Sequence, residues 1–155
     1  MRTKFIIFAA LVLSTVFAAG TPRDAIAETT AQLEANKTLV LDFWHTVFDG
    51  QDVSKAKVYL APSYRQHNPN VATGLKGFED FFGSLWPKPK AAADIKLTQF
   101  DVIIAEGDLV QVMFKRPRPE VDDPTKTYMS FWFDLFRVKD GKIVEHWDCA
   151  LKPMQ

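Results

Sequence analysis

The sequence predicts an α+β domain in which three helices come first and four antiparallel strands follow. Three observations lead there. Apolar residues keep a helical period from Thr29 to about Trp86. Beyond Ala91 the period changes to the two-residue alternation of strands. Between the last two strands stands "KDGK", whose Asp140-Gly141 pair is a strong hairpin signal.

The chain of 155 residues fits one domain. It opens on "MRTK", then an apolar run from Phe5 to Ala19, then the helix breakers Gly20 and Pro22 and the small residues Ala25 and Ala27. This is the pattern of a secretory signal peptide over 1–27, cut after Ala27, with Ala18 or Ala19 as alternative cut points. The run is shorter than the ~20 residues of a membrane span, so no stable membrane insertion is expected after cleavage; an uncleaved anchor is the alternative. Residues 28–155 then form the single folded domain, exported to a periplasm or secreted.

The first helix runs from Thr29 to Asp49, with Leu39, Val40, Phe43, Trp44, Val47 and Phe48 as its stripe and Gly50 as its cap. A short helix from Val53 to Leu60 is closed by Pro62. "YRQHNPN", Tyr64 to Asn70, reads as a polar turn. A third helix from Leu75 to Trp86 carries Phe78, Phe81, Phe82 and Leu85 and ends at Pro87. The strands are "DIKLTQFDVIIAEGD", "LVQVMFKRP", "TYMSFWFDLFRV" and "IVEHWDCAL". "RPRPEVDDP" reads as a strand-breaking loop.

Composition excludes several function classes. Nineteen basic and nineteen acidic residues balance without a basic stripe, so no nucleic-acid partner is expected. The single cysteine, Cys149, forms no internal disulfide and reads as a small buried strand residue rather than a nucleophile. Asn36-Lys37-Thr38 is a formal glycosylation sequon. No HExxH, cysteine pair, phosphate loop or dinucleotide fingerprint occurs, so neither metal nor cofactor is expected.

Alternation places Ser130, Trp132, Asp134 and Phe136 on one strand face, and Phe131, Phe133, Leu135 and Arg137 on the other. Both faces are apolar, so one packs on the helices and the other needs a cover, such as a second subunit. Asp134 stands out among aromatic neighbours, where a carboxylate needs a partner or a raised pKa. On the last strand Val144, His146, Asp148 and Ala150 share one face, and Ile143, Glu145, Trp147 and Cys149 the other. His146 and Asp148 are raw material for acid–base chemistry. Uniform pairing about Asp140-Gly141 sets Asp134 opposite Trp147 and leaves open the face it shares with His146 and Asp148.

The order of elements, the "Y-x-QHNP" turn and the ending "R-x-x-DGKIVEHWD" resemble the SnoaL-like polyketide cyclase branch of the nuclear-transport-factor-2-like superfamily, over Leu33 to Leu151. The resemblance implies a cone-shaped α+β barrel, its curved antiparallel sheet of about four strands wrapped around the helices and an apolar pocket. It implies a homodimer through the outer sheet face. It implies that Asp148 acts as acid and base in a metal-free, cofactor-free aldol-type ring closure. Asp134 falls where the cyclases carry a histidine, a departure from their pattern.

The candidate catalytic residues are therefore Asp148, Asp134, His67 and His146, with either histidine facing a developing enolate oxygen. Candidate ligand-binding residues are Tyr64 and Asn68 at the pocket mouth and Phe43, Phe82, Trp86 and Trp132 in its wall. The expected function is cofactor-independent cyclisation, isomerisation or dehydration of a small apolar carbonyl compound. The alternative is a non-catalytic binding protein for a small hydrophobic molecule. A third reading, a docking domain presenting "FFGSLW", competes with that segment's core-like spacing.

Overall fold

The computed structural model describes residues 22–152. The apolar run of the expected signal peptide lies outside the described residues. Helix α1 (Pro22–Phe43) continues into a wider π turn (Trp44–Asp49). A single 3-10 turn (Val53–Lys55) leads into the short α2 (Ala56–Tyr59). Strand β1 (Leu60–Gln66) and helix α3 (Leu75–Leu85) follow. The chain closes with β2 (Phe100–Glu106), β3 (Leu109–Pro119), β4 (Thr127–Lys139) and β5 (Lys142–Asp148).

The five strands form one curved, unclosed sheet in the order β1-β5-β4-β3-β2. The expected four strands are all present, and β1 is the addition. It runs parallel to β5 at the sheet edge, where Pro62 lacks no ladder bond that the sheet requires. Its sequence hid it because Pro62 and the polar stretch after it read as turn chemistry. The strand shows in its burial: Tyr64 and Gln66 are buried while Arg65 and His67 are exposed.

Helices α1 and α3 cover the concave face. Val40, Phe43 and Val47 of the first helical segment are fully enclosed with Phe78 of α3 and Val110, Val112, Phe136, Val138 and Ile143 of the sheet. Phe43 sits at the centre, its ring 5.3 to 6.0 Å from those of Phe48, Tyr59, Phe78 and Phe136. That places Phe43 in the core rather than in a pocket wall. Asn36 is also enclosed, donating to the Gly107 carbonyl at 3.4 Å and accepting from Gln32 at 2.9 Å, so the sequon does not present its amide to solvent.

The last strand ends at Asp148 rather than Leu151, where the Ala150 N–H turns back to the Asp148 carboxylate, so Cys149 is exposed and not a buried strand residue. Two further strand boundaries differ from expectation for identifiable reasons. The stretch before Phe100 is not a strand, because the Thr98 N–H donates to the Asp49 carboxylate at 2.9 Å instead of to a neighbouring strand. In the other direction, β3 continues through "RPRP" to Pro119. Strand β2 begins at Phe100, opposite Phe114, so beyond that point β3 has a partner on one side only. Pro117 and Pro119, two residues apart, both turn their missing N–H to the same side, and the vacant edge tolerates them.

The β4–β5 hairpin carries the decisive irregularity. Asp140 (φ 51°) and Gly141 (φ 69°) both adopt the left-handed conformation that a tight two-residue hairpin demands. Val138 then pairs with Ile143, but Arg137 pairs with Glu145, and Val144 is left without a partner in a β-bulge. Past the bulge Phe136 faces His146 and Asp134 faces Asp148. The uniform register with Asp134 opposite Trp147 is thus corrected by one residue. Ile143 is separated from Glu145, Trp147 and Cys149 and joins His146 and Asp148 on the concave side. Glu145 and Trp147 go to the outer face.

A candidate active site

The concave face leaves a cavity of about 410 Å³ between α3, the π turn and strands β3 to β5. Its walls include Trp44, Phe48, Phe82, Trp86, Phe114 and Trp132. The π turn contributes because its wider period brings Trp44, Phe48 and Asp49 to one side. Gly50 ends it where a Cβ would lie 2.6 Å from the Thr46 carbonyl oxygen. Asp49 anchors the turn: it accepts from the Thr98 N–H and hydroxyl at 2.9 and 2.6 Å and from His45 Nδ1 at 2.8 Å.

Asp134, His146 and Asp148 meet at the polar end of this cavity, their candidate ligand atoms within 4.8 Å of one another. The direction of each hydrogen bond around them follows from fixed backbone donors. The Asn70 N–H donates to Asn68 Oδ1 at 2.9 Å, so the Asn68 amide nitrogen must be the end that donates to Asp148 Oδ2 at 2.6 Å. The Ala150 N–H donates to Asp148 Oδ1 at 2.9 Å. The Asn68 N–H donates to Gln66 Oε1 at 2.9 Å, which fixes that oxygen as an acceptor. His146 Nδ1, 3.0 Å from the same oxygen, must therefore carry a hydrogen. The Gln66 amide nitrogen donates to the Tyr64 hydroxyl at 3.0 Å.

The other ring nitrogen, His146 Nε2, lies 2.8 Å from Asp134 Oδ1. A contact that short between two atoms with lone pairs holds one proton, either on the imidazole or on the carboxyl. Both residues are only 4% exposed. Burial pushes the Asp134 carboxyl up from its ordinary range, with the negative charge of Asp148 acting in the same direction; the His146 hydrogen bond pulls against them. No well-formed hydrogen bond reaches Asp134 Oδ2 among the described residues, which disfavours the ionised form, and the Trp132 indole N–H offsets this only in small part. Burial, then the charges of Asp148 and Asp134, also raise the Tyr64 phenol well above its usual value.

Sequence reasoning placed Asp134, His146, Asp148, Asn68, Phe82, Trp86 and Trp132 at the cavity, and the structure brings all seven to its wall. His67 is a correction. It lies an odd number of positions from Tyr64, Gln66 and Asn68 and so points the other way. Its ring is stacked on Trp147 at 4.8 Å, and its Nε2 lies 2.8 Å from Glu145 Oε1 on the outer side. Tyr64 is a second correction: it is buried against Phe78, behind Gln66 rather than in the wall. Gln66 and Arg116 were missed. Gln66 would have been found by reading "YRQHN" as a strand, and Arg116 by continuing β3 through its prolines.

The same three groups offer a nitrogen and two carboxylates to a divalent cation, with Gln66 orienting the imidazole from behind. A cation would need both Nε2 and Oδ1 unprotonated, so it would compete with the shared proton for the same place.

Comparisons agree with this architecture. Residues 38–151 match the SnoaL-like polyketide cyclase family. The chain belongs to that family. No curated protein matches the sequence. A protein provisionally described as a polyketide cyclase from Acidithiobacillus ferrooxidans superposes with a TM-score of 0.54 at 16% identity, covering 74% of this chain and 86% of that one. An LEH-like epoxide hydrolase of M. tuberculosis gives 0.54 at 12% identity over 76% and 83%. TerC, co-crystallised with polyporic acid, gives 0.54 at 16% identity over 76% and 92%. At these identities the likeness is one of fold.

The raised Asp134 carboxyl sets the sign of a pH effect. The folded chain keeps a proton that the unfolded chain releases above about pH 3.9, so the cost of burying the group grows as pH rises and levels off above the folded pKa. Asp134→Asn removes this cost. In urea unfolding, the stability of the variant relative to wild type is expected to climb as pH rises above about 4. A difference that stays flat or falls contradicts the assignment.

Proposed function

We propose that this protein is a cofactor-independent acid–base enzyme that takes a proton from carbon beside a carbonyl in a small, largely apolar compound. The carrying observation is the convergence of Asp134, His146 and Asp148 at one end of an aromatic cavity. Asp148 is the base. It is only partly buried, it lines the cavity, and Asn68 and the Ala150 N–H hold its plane. As it takes the proton, the C–H electron pair becomes an enolate. Protonating Asp148 removes the charge that helps keep Asp134 protonated, so the shared proton moves towards Nε2 and positive charge gathers on the ring beside the enolate. The enolate then attacks an electrophilic carbon, expels a leaving group or regains a proton. These outcomes are cyclisation, dehydration and isomerisation respectively.

A carrier for the same class of compound is the second reading. It is favoured by one observation: both Asp148 oxygens already accept hydrogen bonds. The two readings separate in D2O. Exchange of the α-hydrogens of 2-tetralone, followed by NMR, is expected to exceed the buffer rate and to fall about 100-fold or more in Asp148→Asn. Saturable binding of the ketone with exchange at the buffer rate sinks the enzyme and leaves the carrier.

Two further proposals concern assembly and location. The outer sheet face exposes Val102, Ile104, Phe131 and Phe133, an apolar surface that a second copy would cover. Light scattering is expected to give a dimer in wild type and a monomer in Phe133→Asp; a wild-type monomer contradicts it. The N-terminal pattern supports export, and the protein recovered outside the cytoplasm is expected to begin at Glu28. An intact Met1 there contradicts cleavage.

A further inference from the structure

The cavity has a second polar end that the acid–base chemistry does not use. Arg116 lines it, with its guanidinium 4.7 Å from the centre of the Trp132 ring. Arg118 lies 6.0 Å from the same ring. Among the described residues neither arginine has a carboxylate partner, whereas Lys115 between them is paired with Asp101 at 3.1 Å. The one carboxylate on the opposite wall, Asp49, is already taken by Thr98 and His45. Arg116 is exposed, so Trp132 holds a hydrated cation at the rim of the cavity with no protein carboxylate against it among the described residues.

The geometry points to Arg116 as the anion-recognition residue of the pocket, pairing with a carboxylate carried by a flat aromatic ligand. This rests on the reading that the cavity holds a ligand, but it holds for an enzyme and a carrier alike. A neutral apolar compound has no use for an unpaired guanidinium, while a carboxylate accepts two parallel hydrogen bonds from it.

Strand geometry also sets the ligand's length. Asp148, Asp134 and Val112 lie in one row across the sheet, and Arg116 is four residues beyond Val112 on β3. At about 3.4 Å per residue the two backbone positions are about 14 Å apart along the strand, and the guanidinium, folded over Trp132 opposite Phe114, shortens the gap. A flat ligand of one or two rings, with the acid at the arginine end and the reactive carbon at the Asp148 end, fits the shortened gap.

The test uses 2-naphthoate and its uncharged methyl ester, with quenching of the cavity tryptophans as the signal. Wild type is expected to bind the acid about tenfold or more tighter than the ester, and added salt to narrow the gap. Arg116→Gln is expected to abolish the preference, and Arg116→Lys, which keeps the charge without the fork, to retain part of it. Equal binding of acid and ester by wild type, binding of neither, or a full preference in Arg116→Gln overturns the inference. If the preference is present and α-hydrogen exchange is absent, the enzyme reading fails and the anion site stands.

Discussion

The unpaired residue Val144 decides which side of the sheet carries the chemistry. Side chains alternate, so a shift of one position exchanges the two faces of a strand. Before the bulge Ile143 fills the core opposite Val138; after it His146 and Asp148 take the inward positions opposite Phe136 and Asp134. Without that extra residue Trp147 would point into the cavity and the histidine and aspartate would lie among the outer-face residues. One strand thereby supplies an apolar core residue at one end and a polar site at the other.

Once those groups point inward, their hydrogen bonds must be met from within the fold. Strand β1 meets most of them. Gln66 and Asn68 reach across from the neighbouring strand and its exit turn, and their orientations are set by the N–H groups of Asn68 and Asn70. The chain of donors leaves no choice for His146 Nδ1, and it concentrates the remaining freedom in one proton between Nε2 and Asp134 Oδ1. Asp134 Oδ2, the one buried side-chain atom left unmet among the described residues, is a local cost of the kind that proteins accept at functional sites. Burial of Asp134 and His146 beneath the aromatic wall strengthens the interactions between them.

Much of this was legible in the sequence. The helices, the long aromatic strand and the Asp-Gly hairpin follow from period and turn chemistry, and an acidic residue amid phenylalanines and tryptophan announced Asp134. What the sequence hid has physical causes. A bulge leaves no mark in composition, so the register of His146 and Asp148 was open by one residue. Proline normally ends strands, yet Pro62 lies on an edge strand and Pro117 and Pro119 face a vacant edge. Reading "YRQHNPN" as a turn also concealed its alternation, which separates His67 from Asn68 and places it beside Trp147.

The central claim is that the oriented network fixes the tautomer of His146 and stores one proton against Asp134. The chain has three histidines, so the claim is open to a direct reading by 15N NMR of histidine-labelled protein, with His146 assigned by its loss in His146→Asn. The account predicts a protonated Nδ1 in His146 at neutral pH, with its hydrogen shielded from exchange by Gln66. A His146 with a bare Nδ1 and its hydrogen on Nε2 alone would contradict it.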